Sequence, residues 1–260
     1  MFVCLRTVSR FVKKALKRRN STNYSSYLVI RIFSHRVSFI ATLFAVTQHC
    51  VCCVMFITFE GIDGCGKSTQ AKLLEERLRS TIATPIVFVR DPGHTGISES
   101  IRAILLDKAN TAITARTELL LYSAARAQLV DTVIAPALQS GSIVLADRFT
   151  DSTIAYQSFG RGLALDDIRS ANTVATGGIV PDCTFFLDVP LHHAKERCMD
   201  KSADRIELAG DEFFERVIAG YRALVRSEPQ RVQRLDATLE VDVLHEQIWS
   251  VVQSVFAPVS

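Results

Sequence analysis

The chain has 260 residues, 48% of them hydrophobic, and a formal net charge of +3, which suits one α/β domain with an added segment or at most two small domains. The charge is unevenly placed: residues 1–54 hold nine Lys or Arg and no Asp or Glu, leaving 21 basic and 27 acidic residues for the remainder. A mildly acidic body excludes a broad nucleic-acid surface, which needs clustered cations.

Cysteine divides the same way. Cys4, Cys50, Cys52 and Cys53 fall in the first segment, and only Cys65, Cys183 and Cys198 follow. The later three have neither zinc spacing nor the density of a disulfide framework, so a reducing, intracellular setting is the simpler reading. No second ligand pair stands at a zinc distance from the Cys50–Cys53 cluster.

Three readings compete for residues 1–54. The segment is acid-poor, rich in Arg and Ser, and opens on a basic amphipathic stretch, as organelle transit peptides do. Val37 to Ile57 is uncharged and long enough for a membrane span. It includes Ser38, Thr42, Thr47, Gln48 and His49, however, and its end overlaps a strand needed by the next motif. The third reading is a start-site artefact, with translation beginning at Met55 immediately before that strand. The segment is therefore expected to be disordered and outside the fold, with residues 55–260 as the working domain and no membrane partner. A cytoplasmic location follows, with an organelle as the alternative if the transit reading holds.

Val54 to Phe59 is a short apolar, β-rich run, as a buried parallel strand requires. It leads into Gly61-Ile62-Asp63-Gly64-Cys65-Gly66-Lys67-Ser68-Thr69, a full match to the phosphate-loop pattern G-x-x-x-x-G-K-[ST]. A helical run follows, with Ala71, Leu74 and Leu78 on one face and Glu75 four residues before Arg79. Glycines let successive backbone N–H groups converge on phosphate oxygens, and the helix N-terminus adds partial positive charge. Lys67 would reach the β- and γ-phosphates, and the Ser68 hydroxyl would ligate Mg²⁺. The motif identifies phosphate binding and leaves the acceptor open, since GTPases, motor ATPases and small-molecule kinases all use it.

Further strands are expected at Ile86–Val89, Ile143–Ala146 and Thr184–Leu187, with helices near residues 97–107, 115–139 and 165–177. Strands separated by helices of this size indicate an α/β fold, a P-loop NTPase type with a central parallel sheet of about five strands flanked by helices in three layers. Ligands on such sheets bind beyond the carboxyl ends of the strands. The second strand ends in Arg90-Asp91-Pro92-Gly93-His94-Thr95. The third ends in Asp147-Arg148-Phe149, followed by Ser152-Thr153-Ile154-Ala155-Tyr156-Gln157. The helix before it carries Tyr122-Ser123-Ala124-Ala125-Arg126. Val241, Leu244, Ile248, Val251, Val252 and Val255 mark an amphipathic closing helix.

In this combination the chain closely resembles the thymidylate kinases, nucleoside monophosphate kinases that convert dTMP to dTDP, from about Met55 to the C-terminus. The resemblance implies ATP and dTMP as substrates, Mg²⁺ as cofactor and a homodimer. It implies that Arg148 holds the dTMP phosphate with its guanidinium fork, and that Asp147 positions Arg148 or magnesium-bound water. Tyr122 would stack on thymine, Arg126 would hydrogen-bond its exocyclic oxygen, and Thr153 and Gln157 would line the base edge. Tyr156 would lie under the sugar, Asp63 would contact the 3′-hydroxyl or metal region, and Arg90 would orient the reacting phosphates. Ser158-Phe159-Gly160-Arg161-Gly162 resembles the family's mobile lid, making Arg161 the lid arginine of the bacterial-type members, since the P-loop has none. Asp204-Arg205-Ile206-Glu207 resembles a later motif, with Arg205 on the adenine side of the ATP site. Asp91 and His94 depart from the family's E-P-G-G-T, the first by shortening the acid by one methylene and the second by replacing a glycine at a position expected to need positive φ.

Each residue also has a plain structural reading: Tyr122 as ordinary core, Asp147-Arg148 as a strand-end ion pair, Arg161 as a solvated loop tip. The competing functions are a kinase for another nucleotide or for deoxynucleosides, and a P-loop switch that makes no dTDP.

Overall fold

The computed structural model describes residues 54–199 and 204–256; the expectations for residues 1–53 lie outside them. β1 (Met55–Glu60) leads through the phosphate loop into α1 (Lys67–Thr81). β2 (Ile86–Arg90), α2 (Gly96–Leu106) and α3 (Ala115–Leu129) follow. One wide π-type turn over Val130–Ile134 joins α3 to α4 (Ala135–Gln139). Pro136 lies just beyond that turn and has no N–H to donate, so the expected helix over 115–139 is one rod with a widened joint. β3 (Ile143–Asp147) runs into α5 (Thr150–Thr153), which widens into a π-helical segment over Ile154–Gly160. α6 (Leu165–Thr176), β4 (Cys183–Asp188), α7 (Leu191–Glu196), α8 (Asp211–Ser227), β5 (Val232–Asp236) and α9 (Val241–Phe256) complete the order.

All five strands are parallel, in the order β2-β3-β1-β4-β5. Each of β1, β3 and β4 is buried along its whole length, which is why they read as unbroken apolar runs rather than alternating ones. Ile57 and Phe59 face the larger core with Leu74, Leu78, Val217 and Ile248. Phe56 turns to the other face with Val89, Leu129, Val144 and Phe149. Burial of a ring such as Phe56 contributes about 2–3 kcal/mol. One polar pair crosses the sheet interior: the Thr58 and Thr184 hydroxyls are 2.7 Å apart.

The order puts β1 at the centre, with its carboxyl end between those of β3 and β4. The phosphate loop, the Asp147-Arg148 corner and the Arg90–Thr95 turn therefore open on one edge. Among the described residues, no helix is long and apolar enough to cross a membrane.

Ser158–Gly162, the stretch expected to form a lid, packs against its neighbours here. Its first residues belong to the π-helical segment, which packs on α8; Gly160 is buried against Phe213 and Val217. Arg161 gives two 3.1 Å hydrogen bonds to the buried Glu118 and lies over the Phe213 ring.

Candidate active site

The turn from β1 to α1 is compact because glycines occupy its left-handed positions. Gly64 has φ 81°, and a Cβ there would meet the Ala194 carbonyl at 2.2 Å. Gly66, at φ 98°, starts α1 with no side-chain cap, leaving the first helical N–H groups open. Above the loop lies a cavity of about 680 Å³, walled by loop residues through Thr69 and Gln70, by Asp147 and Arg148, and by the 237–241 turn.

Lys67 is buried and folded back, donating to the Gly61 and Ile62 carbonyls at 3.0 Å each. Ser68 Oγ donates to Asp147 Oδ2 at 2.7 Å. A hydroxyl and a carboxylate side by side are hard oxygen donors of the kind Mg²⁺ takes. Among the described residues, no cluster of three or more His, Cys, Asp or Glu could hold a metal by itself, so waters or phosphate oxygens would complete such a shell.

Arg148 is the joint between two cavities. It has φ 71°, a left-handed conformation uncommon outside glycine. Its Nη1 donates to Gly61 O at 2.8 Å and its Nη2 to Asp63 Oδ1 at 2.8 Å. Burial works against ionisation of Asp63, yet the Arg148 guanidinium and the Lys67 ammonium outweigh it and hold this carboxyl well below the usual range. The guanidinium also sits over the Tyr156 ring, 5.2 Å from its centroid.

The second cleft lies beyond Arg148 and collects the acceptor residues expected from the sequence: Tyr122, Arg126, Thr153, Tyr156 and Gln157. Asp63, Asp91, Arg102, Arg148 and Asp204 line both cavities. Thr153 Oγ1, Tyr156 Oη and Asp91 Oδ1 are buried with no hydrogen-bond partner among the described residues, an arrangement that costs stability unless a ligand satisfies it. Burial pushes the Tyr156 hydroxyl well up, so it is a neutral donor.

Three of the expected residues are held by other side chains. Arg126 is 1% exposed and anchors the cleft wall, donating to Asp91 Oδ2 (2.6 Å), Asn172 Oδ1 (2.8 Å) and the Phe149 carbonyl (3.1 Å). Only two of its five N–H groups remain for a ligand. Arg161 lines neither cavity, for the reason given above. Arg205 lines neither as well: its Nε donates to Leu105 O at 2.6 Å and its Nη2 pairs with Glu118 at 2.8 Å. Glu118 thus pairs with both arginines. Arg90 does line the larger cavity, paired with Glu99 at 2.8 Å. His94 adopts φ 73°, the positive angle expected of its position, and its N–H donates to Glu99 Oε1.

Two cations were not foreseen. Arg102 on α2 donates to the Pro92 carbonyl at 3.0 Å and faces both cavities. Arg197 bridges to the Ala237 carbonyl at 3.0 Å across the mouth of the larger one. Neither sits in a sequence motif; the one available signal for Arg102 is a lone cation on a helix that directly follows the Arg90–Thr95 turn.

The family model described as thymidylate kinase matches residues 59–248. A thymidylate kinase from Desulforudis audaxviator (strain MP104C) is 46% identical over 77% of this chain and 90% of its own. One from Prosthecochloris aestuarii (strain DSM 271 / SK 413) is 47% identical over 77% and 93%. The crystal structure of thymidylate kinase from Ehrlichia chaffeensis superposes with a TM-score of 0.63 at 34% identity, covering 76% of this chain and 98% of that one. Likeness of this extent, over relatives matched along nine-tenths or more of their own length, means that the chain belongs to the thymidylate kinase family.

Proposed function

We propose that the chain transfers the γ-phosphoryl group of ATP to dTMP, giving ADP and dTDP. The observation that supports this best is the pair of cavities meeting at Arg148. One is lined by the phosphate loop, and the other by Tyr122 and the buried, unpartnered hydroxyls of Thr153 and Tyr156. A donor triphosphate in the first and an acceptor monophosphate in the second bring their phosphates together at the residues common to both.

In this reading Lys67 leaves its loop carbonyls for the β- and γ-phosphates, and Arg148 grips the acceptor phosphate bidentately. Asp63 holds Arg148 in line, and Arg90 and Arg102 add positive charge on the acceptor side. Ser68 and Asp147 would hold Mg²⁺, which when bound neutralises phosphate charge. Tyr122 and the free Arg126 N–H groups face the base, Thr153 and Gln157 its edge, and Tyr156 the sugar. The acceptor phosphate is already an anion at neutral pH, so the site needs no strong general base. Positioning and charge neutralisation supply the catalysis. Arg161, paired with Glu118 here, would leave it to neutralise the transferring phosphoryl group, and Arg205 would stand on the adenine side. Exposed apolar side chains on α3 and α6 support a homodimer, and residues 55–260 carry the activity.

The test follows ADP formation by the full chain with ATP and Mg²⁺, adding dTMP, dUMP, ribosyl-TMP, CMP and AMP separately. dTMP should drive turnover well above the others. ATP binding with no acceptor-dependent turnover would instead make the protein a nucleotide switch.

A further inference from the structure

Glu60, the last residue of β1, is fully buried directly behind Arg148 and belongs to no part of the mechanism above. Its Oε1 accepts from the Phe149 N–H at 2.7 Å and the Ser152 N–H at 3.3 Å. Its Oε2 accepts from Ser152 Oγ at 2.5 Å and Tyr221 Oη at 2.9 Å. Those two hydroxyls also meet Arg148 Nη1, at 3.3 and 3.4 Å. Tyr221 is fixed by stacking on Phe186, with centroids 4.9 Å apart.

The direction of the protons gives this arrangement its meaning. Once ionised, above about pH 7, Glu60 only accepts, so both hydroxyls, themselves 2.9 Å apart, can point their protons at it and turn lone pairs toward the guanidinium. An amide or a protonated acid in its place would donate to one hydroxyl, whose proton could then face Arg148, donor against donor. Asp151 is the other acid nearby and is held by Arg231 at 2.7 and 2.8 Å, leaving Glu60 as the acceptor at the end of the relay.

We propose that Glu60 is a positioning residue that aims Arg148 at the acceptor phosphate, acting through the Ser152 and Tyr221 hydroxyls. This rests on reading Arg148 as the ligand of that phosphate. It predicts that acceptor binding depends on a buried carboxylate that touches no substrate.

The test compares Glu60→Gln, Glu60→Asp, Ser152→Ala and Tyr221→Phe in the full chain at about pH 8, where wild-type Glu60 is ionised, measuring KM for dTMP and for ATP separately. Glu60→Gln should raise the dTMP KM about tenfold or more, the scale of a charged hydrogen bond, with the ATP KM changed less than about twofold. Glu60→Asp, which keeps the charge, should recover part of the loss. Ser152→Ala and Tyr221→Phe should each show a smaller rise, non-additive with Glu60→Gln. A folded Glu60→Gln with an unchanged dTMP KM, or with both KM values raised equally, overturns the proposal. If Glu60→Gln does not fold, an unchanged dTMP KM in both hydroxyl variants overturns it. Should the wild-type chain not turn over dTMP, the acceptor reading falls by itself. The crystal structures of wild type and Tyr221→Phe then decide: a re-aimed Arg148 sustains the positioning role, and an unmoved one ends it.

Discussion

Arg148 combines a left-handed backbone with a guanidinium held by Gly61 and Asp63. Such backbone strain costs about 1–3 kcal/mol and persists where surroundings over-determine it. Lysine would supply the charge without the fork. Both Arg148→Ala and Arg148→Lys should therefore lower kcat/KM for dTMP, the former about 10³-fold; wild-type rates in either would remove Arg148 from the chemistry. Glu60 makes a second prediction, on stability. Burial first, and the Asp151 charge second, raise its carboxyl from an ordinary 4.5 to about 7. The folded chain then holds this proton more tightly than the unfolded chain does. The group's contribution is full below about pH 4.5 and is lost as pH rises through about 7. Glu60→Gln cannot ionise, so its melting temperature should fall less than wild type's between pH 5 and 7.5. Parallel curves would show that Glu60 does not titrate in that window.

At the scale of elements, the cleft depends on how the π-helical segment meets α8. Two glycines make the approach possible: a Cβ at Gly220 would lie 2.8 Å from Phe159, and one at Gly160 would lie 2.6 Å from Phe213. Gly220→Ala should destabilise the chain by about 1–3 kcal/mol through overpacking, seen as a lower denaturant midpoint. An unchanged midpoint would mean that the rings yield freely. This contact also shows where the sequence stopped being legible. The P-loop, β1, β3 and β4 could be read because a continuous apolar run or a fixed glycine spacing expresses a purely local requirement. β5 escaped notice because it is an edge strand with only Val232 and Leu235 buried, so its pattern is too short to mark a period. The contacts of the Gly-Arg-Gly stretch were not legible because its neighbours in space, Glu118 and Phe213, lie some 40 to 50 residues away in the chain. The same distance effect hid the true surroundings of Arg126 and Arg205. Their residue types were readable, but the partners that occupy them come from Asp91, Asn172 and Glu118.

At the scale of the whole molecule, the surface carries one feature that the isolated fold does not explain. α3 and α6 pack against each other, and on their outer sides Leu120 is 62% exposed and Val174 84% exposed. Scattered apolar side chains are common on any surface. Two large ones on adjoining helices, on the wall that carries Tyr122 and Arg126, fit a homodimer in which α3 and α6 meet their counterparts. Such an isologous contact would bury both side chains in each subunit and brace the acceptor cleft from behind. The full chain should therefore show a dimer mass by light scattering. Leu120→Glu combined with Val174→Glu should shift it to monomer, because neither side chain contributes to the subunit core and a charge on each face would oppose its partner. Loss of folding in that double variant is not expected, since solvent already surrounds both positions. A wild-type monomer, or a double variant that remains dimeric, would place the contact elsewhere. A monomeric variant with a weakened dTMP KM and an unaltered ATP KM would show that the dimer supports the acceptor side alone.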